Sequence, residues 1–298
     1  LTRELKPDDA PGKSQQVGGL TAGLYIVATP IGNARDISLR ALEVLKGCDV
    51  IACEDTRMTS KLLTIHGISR PLVPYNDHNA PEMRPKLLTR LARGEVVALV
   101  SDAGTPLVSD PGYKLVRDVI AEGMPVVAIP GASAVLAGLA LSGLPSDRFL
   151  FAGFLPHRAG ERAAILEELK GVRATLIFFE SAQRLSESLA SMLAVLGDRP
   201  AVMAREITKL HEETRRGLLS QLAAHYETAA APRGEVTLLI GPPREAEIDM
   251  GKIDAALKAA LPFMPVKAAA EMIAGLTDGS KKAIYARALD LKEDLTNE

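Results

Sequence analysis

Between residues 24 and 145, five short apolar runs alternate with five amphipathic stretches, and no other feature restricts the fold as much. The runs lie near 24–29, 48–53, 72–75, 96–101 and 126–129, each too short for a buried helix and rich in Val and Ile. The stretches near 38–47, 57–66, 82–93, 113–122 and 133–142 carry their apolar residues at helical spacing. Strands apolar on both faces, separated by helices, predict a parallel sheet covered on both sides. Ser38 ahead of Leu39 reads as an N-cap, and Gly47, Gly67, Gly94 and Gly123 stand where helices should end.

The pattern changes after Gly143-Leu144-Pro145-Ser146. Strands are expected near 149–154, 174–180, 200–206, 213–217 and 235–241, with helices near 160–170, 182–196 and 218–228. The short spacing from 200 to 217 predicts an antiparallel hairpin, so this second sheet should be mixed. Gly241-Pro242-Pro243 closes it, Arg244 to Gly251 reads as a linker, and the chain from 252 to about 291 is helical. The expected division is a polar, disordered lead at 1–22, α/β domains at 23–145 and 146–243, and a linker with a small helical module at 244–298.

Composition excludes several classes. The 298 residues carry a formal net charge of −2, which argues against nucleic-acid binding through a basic whole-molecule field but leaves room for a local patch. No apolar run reaches membrane-spanning length, so no membrane association is expected. The two cysteines, Cys48 and Cys53, form no disulfide framework, which suits a reducing cytoplasm. Their five-residue offset around Val50-Ile51-Ala52 puts them on opposite faces of the expected strand, as small core residues. The five histidines show no metal-ligand spacing, and no metal is expected.

Three loops at strand carboxyl ends draw attention to one edge of the first sheet. They are Pro30-Ile31-Gly32-Asn33, Ser101-Asp102-Ala103-Gly104-Thr105-Pro106-Leu107-Val108 and Pro130-Gly131-Ala132-Ser133-Ala134. Open α/β sheets place ligands at such ends, and Gly and Pro let backbone groups approach a bound molecule closely. One loop alone reads equally well as two tight turns with an Asp cap. Three together describe a small-molecule cavity. Asp102 keeps two readings, a ligand for a ribose or ammonium group and a cap of the turn at Ala103-Gly104.

These loops, with Asp36-Ile37, Glu54-Asp55-Thr56-Arg57 and Phe178-Phe179-Glu180-Ser181, resemble the ribosomal RNA small subunit methyltransferase I family of the tetrapyrrole-methylase superfamily. The resemblance covers roughly residues 23–291. Ala182-Gln183 departs from it, the family usually having Pro-His before Arg184. It implies a two-domain α/β tetrapyrrole-methylase-like fold, a parallel-sheet domain plus a mixed-sheet domain, with a helical C-terminal module. It further implies S-adenosylmethionine as cofactor, 2′-O-methylation of a cytidine ribose in the decoding region of small-subunit (16S) ribosomal RNA, and a cytoplasmic homodimer. Carried over by position, the donor site is Pro30, Asp102, Gly104, Thr105, Pro106, Leu107, Val108, Ser133, Ala134, Phe179 and Gly234-Glu235-Val236. Ribosomal RNA or the 30S particle would be the partner, with Lys209 beside the cleft as one RNA contact. A tetrapyrrole-precursor C-methyltransferase and a noncatalytic RNA- or ribosome-binding protein are the rival readings.

A ribose hydroxyl is a poor nucleophile until its proton leaves, so a base or an alkoxide-stabilising charge should stand nearby. Glu54, Asp55 and Arg57 are the leading candidates, following a buried strand to the same sheet edge, with Asp36, Glu180 and Lys209 behind them. The plainer reading makes Asp55 or Thr56 a cap for the helix near Arg57, and Lys209 part of a solvated strand end. Lys281 and Lys282 follow Ser280 at the start of the second helix of an apparent helix-turn-helix, where a phosphate would be favoured. A helical cap that only packs on its neighbours is the alternative.

Overall fold

The computed structural model describes residues 16–17, 19–229, 233–243, 250–277 and 280–297. Most of the expected lead and the expected linker at 244–251 lie outside the described residues. The chain divides into two compact units, residues 1–242 and 243–298.

In the first unit a hairpin of β1 (Gln16–Val17) and β2 (Leu20–Thr21) precedes a five-stranded sheet. That sheet contains β3 (Gly23–Val27), β4 (Val50–Cys53), β5 (Leu72–Pro74), β6 (Val96–Val100) and β7 (Val126–Ile129) in the order β5-β4-β6-β3-β7. Every pairing is parallel, and every residue of β3, β4 and β6 is buried. Alternate side chains serve two cores, as strand geometry requires. Tyr25, Val27, Ile51, Cys53, Ala98 and Val100 pack beneath α1 (Leu39–Gly47) and α2 (Thr56–Ile65). Leu24, Ile26, Val50, Ala52, Val97 and Leu99 pack beneath α3 (Ala80–Ala92) and α4 (Tyr113–Ala121). Adjacent strands β3 and β6 therefore feed helices on opposite faces, which opens a crevice at their carboxyl ends.

Local signals set the helix ends. Ser38 accepts from the Ala41 amide at 3.1 Å, and Asp55 from the Arg57 amide at 2.8 Å. Cys48 closes α1 instead of opening β4, so strand parity does not govern it. Both thiols lie in one core, contrary to the opposite-face expectation, and burial pushes Cys48 up to about 11.

The second sheet contains β8 (Phe149–Phe154), β9 (Thr175–Ser181), β10 (Pro200–Arg205), β11 (Glu213–Leu218) and β12 (Glu235–Ile240) in the order β11-β10-β12-β9-β8. Only β8 and β9 run parallel, and β10 pairs with β11 as the expected antiparallel hairpin. Helices α6 (Ala159–Leu169), α7 (Leu185–Leu196) and α8 (Leu219–Thr228) bury one face through Leu166, Leu189, Met192 and Leu222. The opposite face receives α5 (Ala134–Ser142), which follows β7 in sequence yet packs Val135 and Leu139 against Ile177, Val202 and Leu239. The single helix α5 thus ties the sheets together, and its Leu136 is exposed.

The second unit contains α9 (Met250–Ala260), α10 (Val266–Thr277) and α11 (Lys281–Asn297). Ile253, Leu257, Ile273, Ile284 and Leu291 form its core, and Arg287 clasps Asp254 through bonds of 2.8 and 2.6 Å. No helix among the described residues is long and apolar enough to cross a membrane.

Candidate functional site

A cavity of about 430 Å³ opens where the three Gly/Pro loops meet the mixed sheet. The loops are fastened to each other. Thr29 and Gly104 exchange backbone bonds of 2.8 and 3.1 Å, joining the end of β3 to the loop after β6. Thr105 Oγ1 donates to the Ala132 carbonyl at 3.2 Å, joining that loop to the one after β7. Ser133 then caps α5. Leu107 and Ser109 hold left-handed backbone, φ 77° and 63°, in the same loop. Non-glycine residues hold such conformations where surrounding contacts enforce them, often at functional sites.

Of the residues expected from sequence, Asp102, Gly104, Thr105, Val108, Ser133, Ala134, Phe179, Gly234, Glu235, Val236 and Glu54 line this cavity. Pro30 and Pro106 are buried behind the lining, and Leu107 turns into the core of the first sheet. Asp110, Phe154, Ile31, Ile207 and Thr237 also line it, and none of them is among the site residues expected from sequence. Asp110 stands only two residues beyond Val108, in a loop already marked by its Gly and Pro content. Phe154 is hidden inside an apolar run.

The candidate carboxylates separate by geometry. Asp55 is occupied: it caps α2, and the Arg57 guanidinium grips it with bonds as short as 2.7 Å. Those bonds hold its carboxyl down to about 2, a weak base at neutral pH. Arg57 itself is 85% exposed, so this pair forms the helix cap and does not line the cavity. Glu54 does line it, and its carboxyl is pushed up by burial, then by Asp102, Asp110, Asp77 and Asp55. Burial also raises Asp102 and Asp110. Asp102 Oδ1 accepts from the Asp55 amide at 3.0 Å, so its capping role reaches a neighbouring loop. Glu180 is 2% exposed and committed, accepting from Ser188 Oγ at 2.5 Å and from the Ser181 amide at 2.8 Å, with Arg184 beside it.

Lys209 does not present its ammonium outward. Nζ donates to Glu206 and to Glu235, each at 2.8 Å. Burial opposes its charge, but the two carboxylates prevail and raise its pKa. Its stem lies over Gly32, where any Cβ would overlap Lys209 Cγ, and Thr208 Oγ1 accepts from the Asn33 amide at 3.2 Å. The loop after β10 therefore clamps the loop after β3, bringing Ile207 and Ile31 together as one wall of the cavity. Lys281 and Lys282 are exposed at the start of α11 in the second unit, where Ser280 caps the helix.

Among the described residues the lining includes Glu54, Asp102 and Asp110 outside any ion pair, and Glu180 and Glu235 beside Arg184 and Lys209. Its charge suits a cationic small molecule, and its size falls within the usual range of ligand pockets. Among the described residues no group of His, Cys, Asp or Glu could hold a metal ion.

The fold is of the tetrapyrrole-methylase class. Residues 23–223 match the family model for tetrapyrrole (corrin/porphyrin) methylases, and residues 247–292 match that for the RsmI C-terminal HTH domain. The chain belongs to the ribosomal RNA small subunit methyltransferase I family. A relative of that name from Mesorhizobium japonicum is 53% identical over 92% of this chain and 94% of its own. Its counterpart from Erythrobacter litoralis is 54% identical over 92% and 96%. Among solved structures, diphthine synthase aligns with a TM-score of 0.58 at 19% identity, covering 73% of this chain and 89% of that one. Uroporphyrin-III C-methyl transferase from Thermus thermophilus, complexed with S-adenyl homocysteine, aligns at 0.53 and 20%, covering 73% and 96%.

Proposed function

We propose that this chain transfers a methyl group from S-adenosylmethionine to the 2′-oxygen of a cytidine ribose in the decoding region of small-subunit ribosomal RNA. The observation that carries the reading is kinship along both units, cavity-bearing and helical alike, to proteins named for small-subunit ribosomal RNA methylation. The donor supplies a methyl activated by its sulfonium, so the protein must hold, align and exclude water. Glu54, Asp102 and Asp110, the lining carboxylates not held by Lys209 or Arg184, suit that positive charge. Backbone groups of Gly104, Thr105, Val108, Ser133 and Ala134, with Phe179 and the Gly234-Glu235-Val236 turn, would hold the donor, and Asp102 would complete the site.

Glu54 is the residue we assign to the acceptor hydroxyl, since it faces the cavity and binds its proton more tightly than an ordinary glutamate. Asp55 and Arg57 then act as positioning residues that set the loop carrying Glu54. Lys281 and Lys282 would meet RNA phosphates from the C-terminal unit. In this reading the expected domains at 23–145 and 146–243 are the two lobes of each protomer in a cytoplasmic homodimer. The test is methyl transfer to small-subunit particles lacking the modification, followed by mass spectrometry of digested nucleosides. 2′-O-Methylcytidine is the expected product, and a 2′-deoxy nucleotide at the acceptor position should accept nothing. A methylated base would overturn the assignment.

A further inference from the structure

Phe154 lines the cavity yet is 56% exposed, which places its ring at the rim. The backbone goes out of its way to put it there. Strand β8 pairs in register with β9 from Phe149 to Phe151, and then an extra residue intervenes before Phe154 pairs with Phe179. Phe151 and Phe154 are three positions apart, so strand parity alone would set them on opposite faces. The bulge restores Phe154 to the face shared by Phe151, Ile177 and Phe179. Gly153, at φ 68°, supplies the left-handed residue that the detour uses. Phe179 then steadies the ring, with centroids 5.7 Å apart and planes at 62°, and is itself braced by Phe151 at 4.7 Å.

Charge narrows what this ring can meet. Among the described residues the lining carries Glu54, Asp102 and Asp110 outside any ion pair, with Glu235 held by Lys209 and Glu180 beside Arg184, so the cavity disfavours phosphate. Phe154 is the exposed aromatic ring among the lining residues described, beside the exposed Asp102 and Glu235. Drawing a ribose hydroxyl into a cavity of about 430 Å³ is easiest for a nucleotide splayed out of its RNA stack, whose base must then rest somewhere. We infer that Phe154 is the stacking platform for the base of the acceptor nucleotide, held extruded over the rim of the cavity. This rests on the ribose-methyltransferase reading of the same site. Phe179, deeper and half-buried, remains with the donor.

The experiment compares Phe154→Ala, Phe154→Leu and Phe154→Tyr in the full chain, using unmodified small-subunit particles and, separately, calorimetry with S-adenosylhomocysteine. Phe154→Ala should lower kcat/KM for particles by about 5- to 150-fold, the range that loss of one base–aromatic stack brings. Tyr should restore it and Leu should not, while S-adenosylhomocysteine affinity stays within about twofold in all three. Restoration by Leu would reduce the ring to apolar packing and overturn the proposal. A parallel loss of S-adenosylhomocysteine affinity would assign the ring to the donor's adenine and overturn it equally. Full activity of Phe154→Ala sinks the stacking role alone. A wild-type protein that places no ribose methyl on any particle sinks the underlying reading instead.

Discussion

The backbone amide of Asp55 donates to Oδ1 of Asp102 at 3.0 Å, fastening the loop after β4 to the loop after β6. These strands are neighbours in the sheet, so the bond holds two segments of the cavity edge in fixed register. One consequence is a division of labour between adjacent acids. Asp55 turns away to cap α2, and Glu54 faces the cavity.

That division predicts opposite phenotypes. Glu54→Gln should cut turnover by about 10²- to 10⁴-fold, the usual worth of a positioned base, with donor affinity little changed. Wild-type turnover should fall as pH drops through the Glu54 pKa, which lies above the ordinary glutamate range. Asp55→Asn should instead lower the melting temperature and keep most of the turnover. Equal turnover losses in the two variants would remove the distinction between base and cap.

The raised carboxyls of Glu54, Asp102 and Asp110 also carry a cost in stability. A raised native pKa means the native state holds protons that the unfolded chain has released. Stability from these groups therefore falls as pH rises from the ordinary carboxylate range through the raised values. Asp110→Asn should raise the melting temperature at pH 7, by about 2–4 °C per kcal/mol recovered, and the gain should vanish below pH about 4. Differential scanning calorimetry at both pH values decides it. A gain that persists in acid would point to packing as its source.

Lys209 offers a test of clamp against RNA contact. Lys209→Met keeps the stem over Gly32 but releases Glu206 and Glu235 from their shared cation. Glu206 sits at φ 51° and Thr208 at φ 68°, strain that the clamp helps to hold in place. The variant should melt lower and bind S-adenosylhomocysteine several-fold more weakly, with RNA affinity unchanged. Loss of RNA affinity alone would mean the ammonium leaves its carboxylates for phosphate.

Much of this architecture was legible in sequence because the two periodicities are strong. Val96 to Val100 is buried throughout and could only be a covered strand, and the 200–217 spacing permits only a hairpin. The loops that line the cavity were legible for a related reason, since Gly and Pro at strand ends mark backbone approach. What escaped depends on contacts remote in sequence. Lys209 reads as a solvated strand end until Glu235, 26 residues on, is brought beside it. Phe154 escaped because a bulge changes strand parity without leaving a compositional mark. The attachment of α5 to the mixed sheet escaped because chain order assigns it to the first.

The second unit raises an electrostatic question, because a chain of net charge −2 must hold RNA through a local patch if it holds it at all. Lys281 and Lys282 stand exposed in the first turn of α11, where the helix's own amide ends add to their field. Replacing both with Gln keeps the helix, since Gln is nearly as good a helix former, and leaves the Ser280 cap in place. The variant should bind small-subunit RNA more weakly at low salt, and its log–log salt slope should fall by about 1 for each phosphate that the lysines had neutralised. Affinity for S-adenosylhomocysteine should stay unchanged, because the cavity-lining residues belong to the first unit. Filter binding across a salt series measures the slope directly. An unaltered slope would show that neither lysine meets phosphate and that the helical unit serves through packing.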